Sequence, residues 1–371
     1  MVLQVNLLIY AYMALCACMI VFNIIYVGRR RWHLRRSPAR VQKYREWMTR
    51  RLTDPAGSLL TGKPQKEYKS ILRRCSRLLL FEEALEQMGQ ELKVRERIRS
   101  WIWMNRELLL GVSDGYLKKK GMQRAFYAYF VETWRLCATP PHDPFVEQMQ
   151  RLVLDHSMYC RENALCALYA SGVTKHVVRA YTNLTRLGME HSAKMVTDGL
   201  LEFNGDKESL AEALWSSWDT FSDYYRAAFV NFIRMVSGSF RRRFLPILTD
   251  TANDREVRFA VLRYYRKYFY RHALEPLCTF VSAWQQEDWE YAALAALALE
   301  AYAHDRSVAA LQEGCRSRNW HVRYNSAQSL AKLIPMEALQ RLAESETDAY
   351  ARDMLLYIIS RNEVGPDDGC H

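Results

Sequence analysis

The sequence predicts an all-α protein, in which an N-terminal transmembrane helix is followed by a right-handed α-solenoid of helical hairpins. Three observations support this fold class. Among 371 residues there are only 15 Gly and 10 Pro, and half of the residues are hydrophobic, which suits long helices around a sizeable core. The first 28 residues carry no charged side chain. In the C-terminal two-thirds, a helix with one apolar pattern recurs about every 32 residues.

Residues 1–28 have the length and polarity of a membrane span. The 26 residues from Val2 to Val27 carry no formal charge. As a helix they would rise about 39 Å, enough to cross a hydrocarbon core of about 30 Å with some tilt. We therefore expect a single-pass membrane protein. A cleaved signal peptide is the alternative, but the charged n-region and small-residue cleavage site that it needs are not evident.

Arginines follow this segment directly, and none precedes it. Such a bias places the N-terminus outside and the remainder of the chain in the cytoplasm. Residues 29–65 are then a basic juxtamembrane segment and linker, drawn to anionic lipid headgroups. A specific lipid or nucleic-acid site is the alternative for these cations. The predicted membrane-surface contacts are Arg29, Arg30, Arg31, Trp32, Arg35 and Arg36.

The recurring helices align on one position in each copy. Four and seven residues after it the chain is apolar in every copy except at Asp198. These offsets fall on one face of a helix, so each copy needs a neighbour to cover it. Partner helices fill the gaps, so the repeat unit is a hairpin. The aligned residues are Arg161, Lys194, Arg226, Arg258, Glu290, Arg323 and Arg352.

This pattern sets the expected organisation of the chain. We assign residues 151–361 to the repeat array and residues 66–150 to an N-terminal helical cap or degenerate repeats, since terminal repeats differ from internal ones. Residues 362–371 are expected to be a flexible tail. Residues 29–150 hold 26 Lys+Arg and 13 Asp+Glu, whereas residues 151–371 hold 26 and 28, so the array is close to neutral.

Two segments, VRFAVLRYY (257–265) and VRYNSAQSLAKL (322–333), resemble the second helix of HEAT repeats. In that family an Asp or Asn, a Val-Arg pair and then small and apolar residues recur. The resemblance implies that the arginine ties neighbouring repeats together. It also implies a structural role for the arginines at the aligned position, while Lys194 and Glu290 depart from the pattern. We call these arginines the repeat ladder; they are Arg161, Arg226, Arg258, Arg323 and Arg352.

The sequence shows no catalytic motif. It lacks a phosphate-binding loop, a nucleophile elbow and a zinc motif, and its nine cysteines include no CxxC pair. We therefore expect neither an enzyme nor a cofactor or metal, and no small-molecule substrate is evident. Some HEAT-like proteins are lyases or hydroxylases, so a helical-repeat enzyme is an alternative. The hydroxylases use His-Glu pairs, and no His in this chain is followed by Glu.

The candidate partner-binding residues are Arg263, Arg266 and Lys267. They lie in RYYRKYFYRH (263–272), where four tyrosines alternate with the cations. This arrangement suits either nucleic acid or a solvated face beside a packed aromatic stripe. Tyr265 occupies an apolar position of the repeat, which favours the second interpretation. The near-neutral array also argues against nucleic acid.

A solenoid offers a long, shallow surface that suits protein partners. The function predicted from the sequence is therefore a membrane-anchored scaffold or adaptor. By analogy with bacterial proteins of this layout, its partner would be a membrane complex such as a polysaccharide synthase or secretion system. A nucleic-acid-binding protein is a further alternative.

Overall fold

The computed structural model describes Met19 and residues 38–54, 59–138, 142–283 and 289–364. Over these residues every regular element is an α-helix or a short 3₁₀ turn, and no strand occurs. The all-α fold class is confirmed for this part of the chain. The right-handedness of the superhelix stays a prediction.

The predicted single-pass membrane location requires correction. In the part of the chain that the structure describes, no helix is both long and apolar enough to cross a bilayer. The final helix has 16 residues and rises about 24 Å, short of the roughly 30 Å that a span must cover. Except for Met19, the segment 1–28 lies outside the described residues, as do Arg29, Arg30, Arg31, Trp32, Arg35 and Arg36.

The chain divides into two compact units, Met1–Ala167 and Leu168–His371. The first unit contains seven described helices and the beginning of an eighth. They are α1 (38–53), α2 (Gly62–Arg73), α3 (Cys75–Met88), α4 (Leu92–Met104), α5 (Arg106–Leu117), α6 (Gly121–Thr133), α7 (Pro144–Leu152) and α8 (Met158–Ala170).

Packed aromatic rings join α1 to the rest of the first unit. Trp47 of α1 stacks on Tyr68 of α2 with ring centroids 6.0 Å apart. It meets the edge of Trp101 of α4 at 5.7 Å and that of Phe81 of α3 at 6.1 Å. Large rings of this kind bury much apolar area in defined geometries. Residues 38–53, assigned from the sequence to a juxtamembrane segment, are thus part of a packed helical unit.

The first unit also buries a carboxyl group. Glu82 of α3 is 3 % exposed, and its Oε2 accepts a hydrogen bond from Trp134 Nε1 at 2.6 Å. Its Oε1 has no hydrogen-bond partner among the described residues. Burial raises the pKa of Glu82 to about 8, although the hydrogen bond from Trp134 lowers it. Among the charged neighbours, Glu86 and Glu132 raise this pKa and Arg95 lowers it. The folded protein therefore holds a proton on Glu82 at neutral pH.

We expect Glu82→Gln to remove a pH dependence of stability. Between the ordinary glutamate pKa near 4.5 and the folded value of about 8, the folded state binds a proton that the unfolded state releases. The free energy of unfolding then falls as pH rises through this window, by on the order of a few kcal/mol. Urea unfolding at pH 5 and pH 8 measures the effect.

In Glu82→Gln the difference between the two pH values should shrink by this amount, because glutamine mimics the protonated acid. The exposed Glu107→Gln should keep the wild-type difference. Equal pH dependence in wild type and Glu82→Gln would show that Glu82 does not hold the proton.

The second unit is a series of hairpins, each made of a first and a second helix. The hairpins are α9 (Thr174–Arg186) with α10 (Ala193–Leu201), α11 (Lys207–Ser216) with α12 (Asp223–Val236), α13 (Arg241–Thr249) with α14 (Arg255–Lys267), α15 (Leu274–Ser282) with α16 (Trp289–Leu299), α17 (Asp305–Cys315) with α18 (Trp320–Leu333), and α19 (Met336–Ser345) with α20 (Ala349–Val364). The second helices contact one another in chain order, from α10 to α20.

The recurring motif has a physical explanation in α14 and α18. Asp254 caps α14 by accepting a hydrogen bond from Glu256 N at 2.8 Å, and Asn319 caps α18 through His321 N at 2.9 Å. Three residues after each cap stands a buried valine, and the arginine follows. The cap residue thus starts the helix, and the valine marks its buried face. The arginine then lies one helical turn after the cap.

Burial follows the predicted pattern in part. Four and seven residues after the aligned arginines, α12, α14 and α18 bury their side chains fully, including Leu330 at 0 % exposure. In α16 the pattern is shifted by two residues, because Leu294 and Leu297 are half-buried while Ala296 and Leu299 are fully buried.

Two other helices also depart from the predicted pattern. In α10 the buried residues are Val196 and Leu200, not Asp198 and Leu201. In α20, Leu356 is 49 % exposed. That helix is the last of the described array, so no further second helix covers Leu356.

Candidate protein-binding surface

The ladder arginines bind backbone carbonyls that precede their own helix. Arg323 donates from Nη1 to the carbonyls of Ser317 at 2.8 Å and Arg318 at 3.0 Å. Arg226 donates from Nε to the carbonyl of Trp218 at 3.1 Å. Each of these arginines therefore closes the turn inside its own hairpin. In the first unit, Arg161 does the same with Asp155 O at 2.9 Å.

Arg258 makes the most enclosed of these contacts. It is 8 % exposed, and its Nε donates to Leu248 O at 3.0 Å. Its Nη1 donates to the Tyr291 hydroxyl at 3.2 Å, and its guanidinium lies 4.6 Å from the Tyr291 ring centroid and 5.5 Å from that of Phe280. Tyr291 and Phe280 belong to the next hairpin. Arg258 thus joins its own turn to the following repeat.

Three aligned positions differ. Lys194 of α10 is exposed. Arg352 of α20 is exposed. Glu290 forms an ion pair with Arg255 at 2.5 Å. The buried pattern of α16 places Ala292, not Glu290, at the position of the ladder arginines. The structural role of the ladder arginines stays a prediction. The hydrogen bonds of Arg258 show the geometry by which such an arginine would join two repeats.

A row of cations lies near the C-terminal ends of the second helices, and we call it the basic ridge. It is formed by Arg234 of α12, Arg263, Arg266 and Lys267 of α14, Lys332 of α18 and Arg361 of α20. The ridge includes all three candidate partner-binding residues.

Glu300, just after α16, bridges two parts of the basic ridge. Arg266 Nε donates to its Oε1 at 2.8 Å, and Lys332 Nζ donates to its Oε2 at 2.6 Å. Burial opposes the ionisation of Glu300, but the hydrogen bonds from Arg266 and Lys332 outweigh burial and lower its pKa. A charged carboxylate therefore links α14 to α18.

Arg234 has no comparable acidic partner among the described residues. Its Nε is buried without a hydrogen-bond acceptor in that part of the chain. Burial lowers the pKa of Arg234, and the positive charges of Arg263 and Arg266 lower it further. Lys267 lies beside it and donates to the Arg234 carbonyl at 3.1 Å. The α12–α14 end of the ridge therefore has excess positive charge.

A groove continues the ridge between α18 and α20. Its volume is about 280 Å³, and its walls include Tyr324, Lys332, Ile358 and Arg361. Arg361 donates a hydrogen bond to the Tyr324 hydroxyl. Nearby on α20, Tyr357 is 52 % exposed. This end of the surface combines cations with apolar area.

Two of the four tyrosines that alternate with the candidate cations cannot serve as a stacking platform, and the other two, Tyr268 and Tyr270, are half-buried. Tyr264 and Tyr265 are fully buried, and Tyr265 donates a hydrogen bond to Arg241 O at 2.6 Å. Base stacking requires an exposed ring face. The arrangement therefore fits the prediction of a solvated basic face beside a packed aromatic stripe.

Sequence reasoning found the α14 part of the ridge but missed Arg234 and Glu300. Arg234 occupies the same repeat position as Arg266, eight residues after the aligned arginine, and this signal was available. Glu300 could not be found in this way, because the sequence alignment placed Glu290, and not Ala292, at the ladder position of α16. Within the described ranges, no group of three or more His, Cys, Asp or Glu is placed to hold a metal ion.

Residues 274–357, from α15 into α20, match the family described as HEAT repeats. Together with the helical hairpins, this match supports a HEAT-like α-solenoid. HEAT repeats in general mediate protein–protein interactions. A comparison with curated proteins gives no match. That the partners include a membrane complex or anionic lipid headgroups remains a prediction from the sequence.

Proposed function

We propose that this protein is a non-catalytic scaffold whose basic ridge binds an acidic segment of a partner protein. The observation that carries the proposal is the environment of Arg234. A half-buried guanidinium with an unpaired Nε stands beside Arg263 and Arg266. Of these three arginines, Arg266 pairs with the Glu300 carboxylate, whereas Arg234 and Arg263 form no ion pair with a described residue. An acidic side chain from outside would supply both the acceptor and the opposite charge.

The surface beside the cations favours a protein partner. Ile358 lines the α18–α20 groove, and Leu356 and Tyr357 on α20 are about half exposed, so apolar side chains of a partner can be covered there. Protein interfaces combine an apolar centre with a polar rim, whereas sites for single-stranded nucleic acid combine a continuous basic groove with exposed rings on which bases stack. In this protein the Glu300 carboxylate interrupts the positive charge of the ridge between Arg266 and Lys332. The rings of Tyr264 and Tyr265 are buried and cannot stack on bases.

Charge reversal of the ridge tests this proposal. We expect Arg263→Glu, Arg266→Glu and Lys267→Glu together to lower affinity for the partner about 100-fold, since three lost or inverted charge contacts of about 1 kcal/mol each correspond to two powers of ten. The full-length protein would be used for affinity capture with quantitative mass spectrometry. The captured protein would then be purified and its Kd measured.

The matched control reverses three exposed arginines on the first helices and a turn: Arg242→Glu, Arg318→Glu and Arg341→Glu. It changes the net charge equally. A partner retained by this control and lost by the ridge variant, with an acidic binding segment, supports the proposal. Capture of the same proteins by both variants, or a partner that proves to be nucleic acid, contradicts it.

A further inference from the structure

A second basic surface lies in the first unit, where α1, α2 and α3 line a groove of about 620 Å³. Arg40 and Lys43 come from α1, whereas Arg74 and Arg77 come from the α2–α3 junction and α3. Cations from two separate walls therefore face one space. Glu67 is the one acidic residue among the described residues that line it.

The four cations are not neutralised by the described chain. None of them forms an ion pair with a described residue. Arg77 Nη1 instead donates to Ser70, with 2.5 Å to Oγ and 3.4 Å to the carbonyl oxygen. Residues 38–80 hold 11 Lys+Arg and 3 Asp+Glu, a net charge of +8. Like charges concentrated in this way repel one another unless an anion is bound.

Further cations extend the surface. A neighbouring depression of about 360 Å³ shares Ser70 and Arg74 with the groove, and its other lining residues are Lys66, Lys69 and Arg73. At the opposite wall, burial raises the pKa of Tyr44, while the positive charges of Arg77 and Arg40 oppose this rise. Both guanidinium groups thus act on the one hydroxyl that lines the groove from α1.

We propose that the α1–α3 groove binds a soluble molecule that carries two neighbouring phosphate groups. Four cations and Glu67 leave a charge of +3 at the lining. Two phosphate groups carry about −3 to −4 at neutral pH, whereas one carries about −1.5 to −2 and would leave part of this charge unpaired. Arginine forks bind phosphate oxygens in pairs, and the volume lies within the range of ligand sites.

Calorimetric titration of the full-length protein with inorganic pyrophosphate tests the site. We expect pyrophosphate to bind and Arg40→Glu with Lys43→Glu to weaken binding at least about tenfold, with the same effect for Arg74→Glu with Arg77→Glu. The control is Arg45→Glu with Arg50→Glu, which makes the same charge change on exposed positions of α1. It should bind within about twofold of the wild type.

Circular dichroism would verify that each variant keeps its helices. If a reversal unfolds the chain, the neutral variants Arg40→Gln and Arg77→Gln take its place. Sulfate competing as well as pyrophosphate, or an equal loss in the control, would overturn the proposal. So would binding of vesicles that carry a bisphosphorylated inositol lipid, or of an oligonucleotide, without binding of pyrophosphate. The site belongs to the first unit, so its failure leaves the proposed function of the basic ridge untouched.

Discussion

Leu330→Asp unfolds the C-terminal hairpins of the array. Leu330 is fully buried, and a carboxylate at that position would lose its hydration without gaining a partner. Removing a buried leucine alone costs about 2–5 kcal/mol, so with the buried charge we expect a loss of about 5 kcal/mol or more. Repeats are stabilised by their neighbours, so the damage should spread to the adjoining hairpins.

The measurement is thermal unfolding followed by circular dichroism, with limited proteolysis to locate the unfolded segment. New cleavage sites are expected within α17 to α20. Leu356→Asp is the matched control, because Leu356 lies on a second helix of the same array but is 49 % exposed. It should change stability by about 0.5 kcal/mol or less. Equal helicity and melting temperature for Leu330→Asp and wild type would refute the assigned burial.

Arg258→Ala should cost about 2–4 kcal/mol. The truncation leaves the Leu248 carbonyl without its side-chain donor and the Tyr291 hydroxyl without its arginine neighbour, and it removes the cation from the rings of Tyr291 and Phe280. Buried polar groups that lose their partner, together with lost cation–π contacts, account for this magnitude. Arg258→Lys should not restore the loss, since an ammonium cannot reproduce the planar fork.

Urea unfolding of the wild type and both Arg258 variants measures this effect. Arg352→Ala supplies the control, because Arg352 holds the aligned position in α20 and is exposed. Its cost should stay below about 0.5 kcal/mol. Similar stability changes for Arg258→Ala and Arg352→Ala would mean that the contacts of Arg258 with Leu248, Tyr291 and Phe280 do not contribute to the stability of the fold.

The hairpin order and much of the buried face could be predicted because both depend on local pattern. Spacing of apolar residues along a helix is set by its geometry, and caps such as Asp254 and Asn319 are legible one helix at a time. The two-residue shift in α16 could not be found in this way. Its alanine-rich sequence, WEYAALAALAL, offers an apolar residue at almost every alignment, so only packing against α14 and α18 selects the buried face.

The sites depend on contacts that no local pattern contains. The basic ridge assembles side chains from helices about 32 residues apart in the sequence. Within it, Glu300 pairs with both Arg266 and Lys332, whereas Arg234 lacks an acidic partner among the described residues. The α1–α3 groove was hidden because the sequence interpretation assigned residues 29–65 to a membrane-proximal segment. The packing of Trp47 against α2, α3 and α4 places α1 inside a folded unit.

The direction of the ladder hydrogen bonds bears on synthesis of the chain at the ribosome. Arg161, Arg226, Arg258 and Arg323 each donate to carbonyls that come earlier in the chain. When the second helix of a hairpin emerges, the backbone carbonyls that accept from its arginine have already been made. Each turn can therefore close before the next hairpin is translated, and a duplicated hairpin would carry its own closing contact to a new position in the gene.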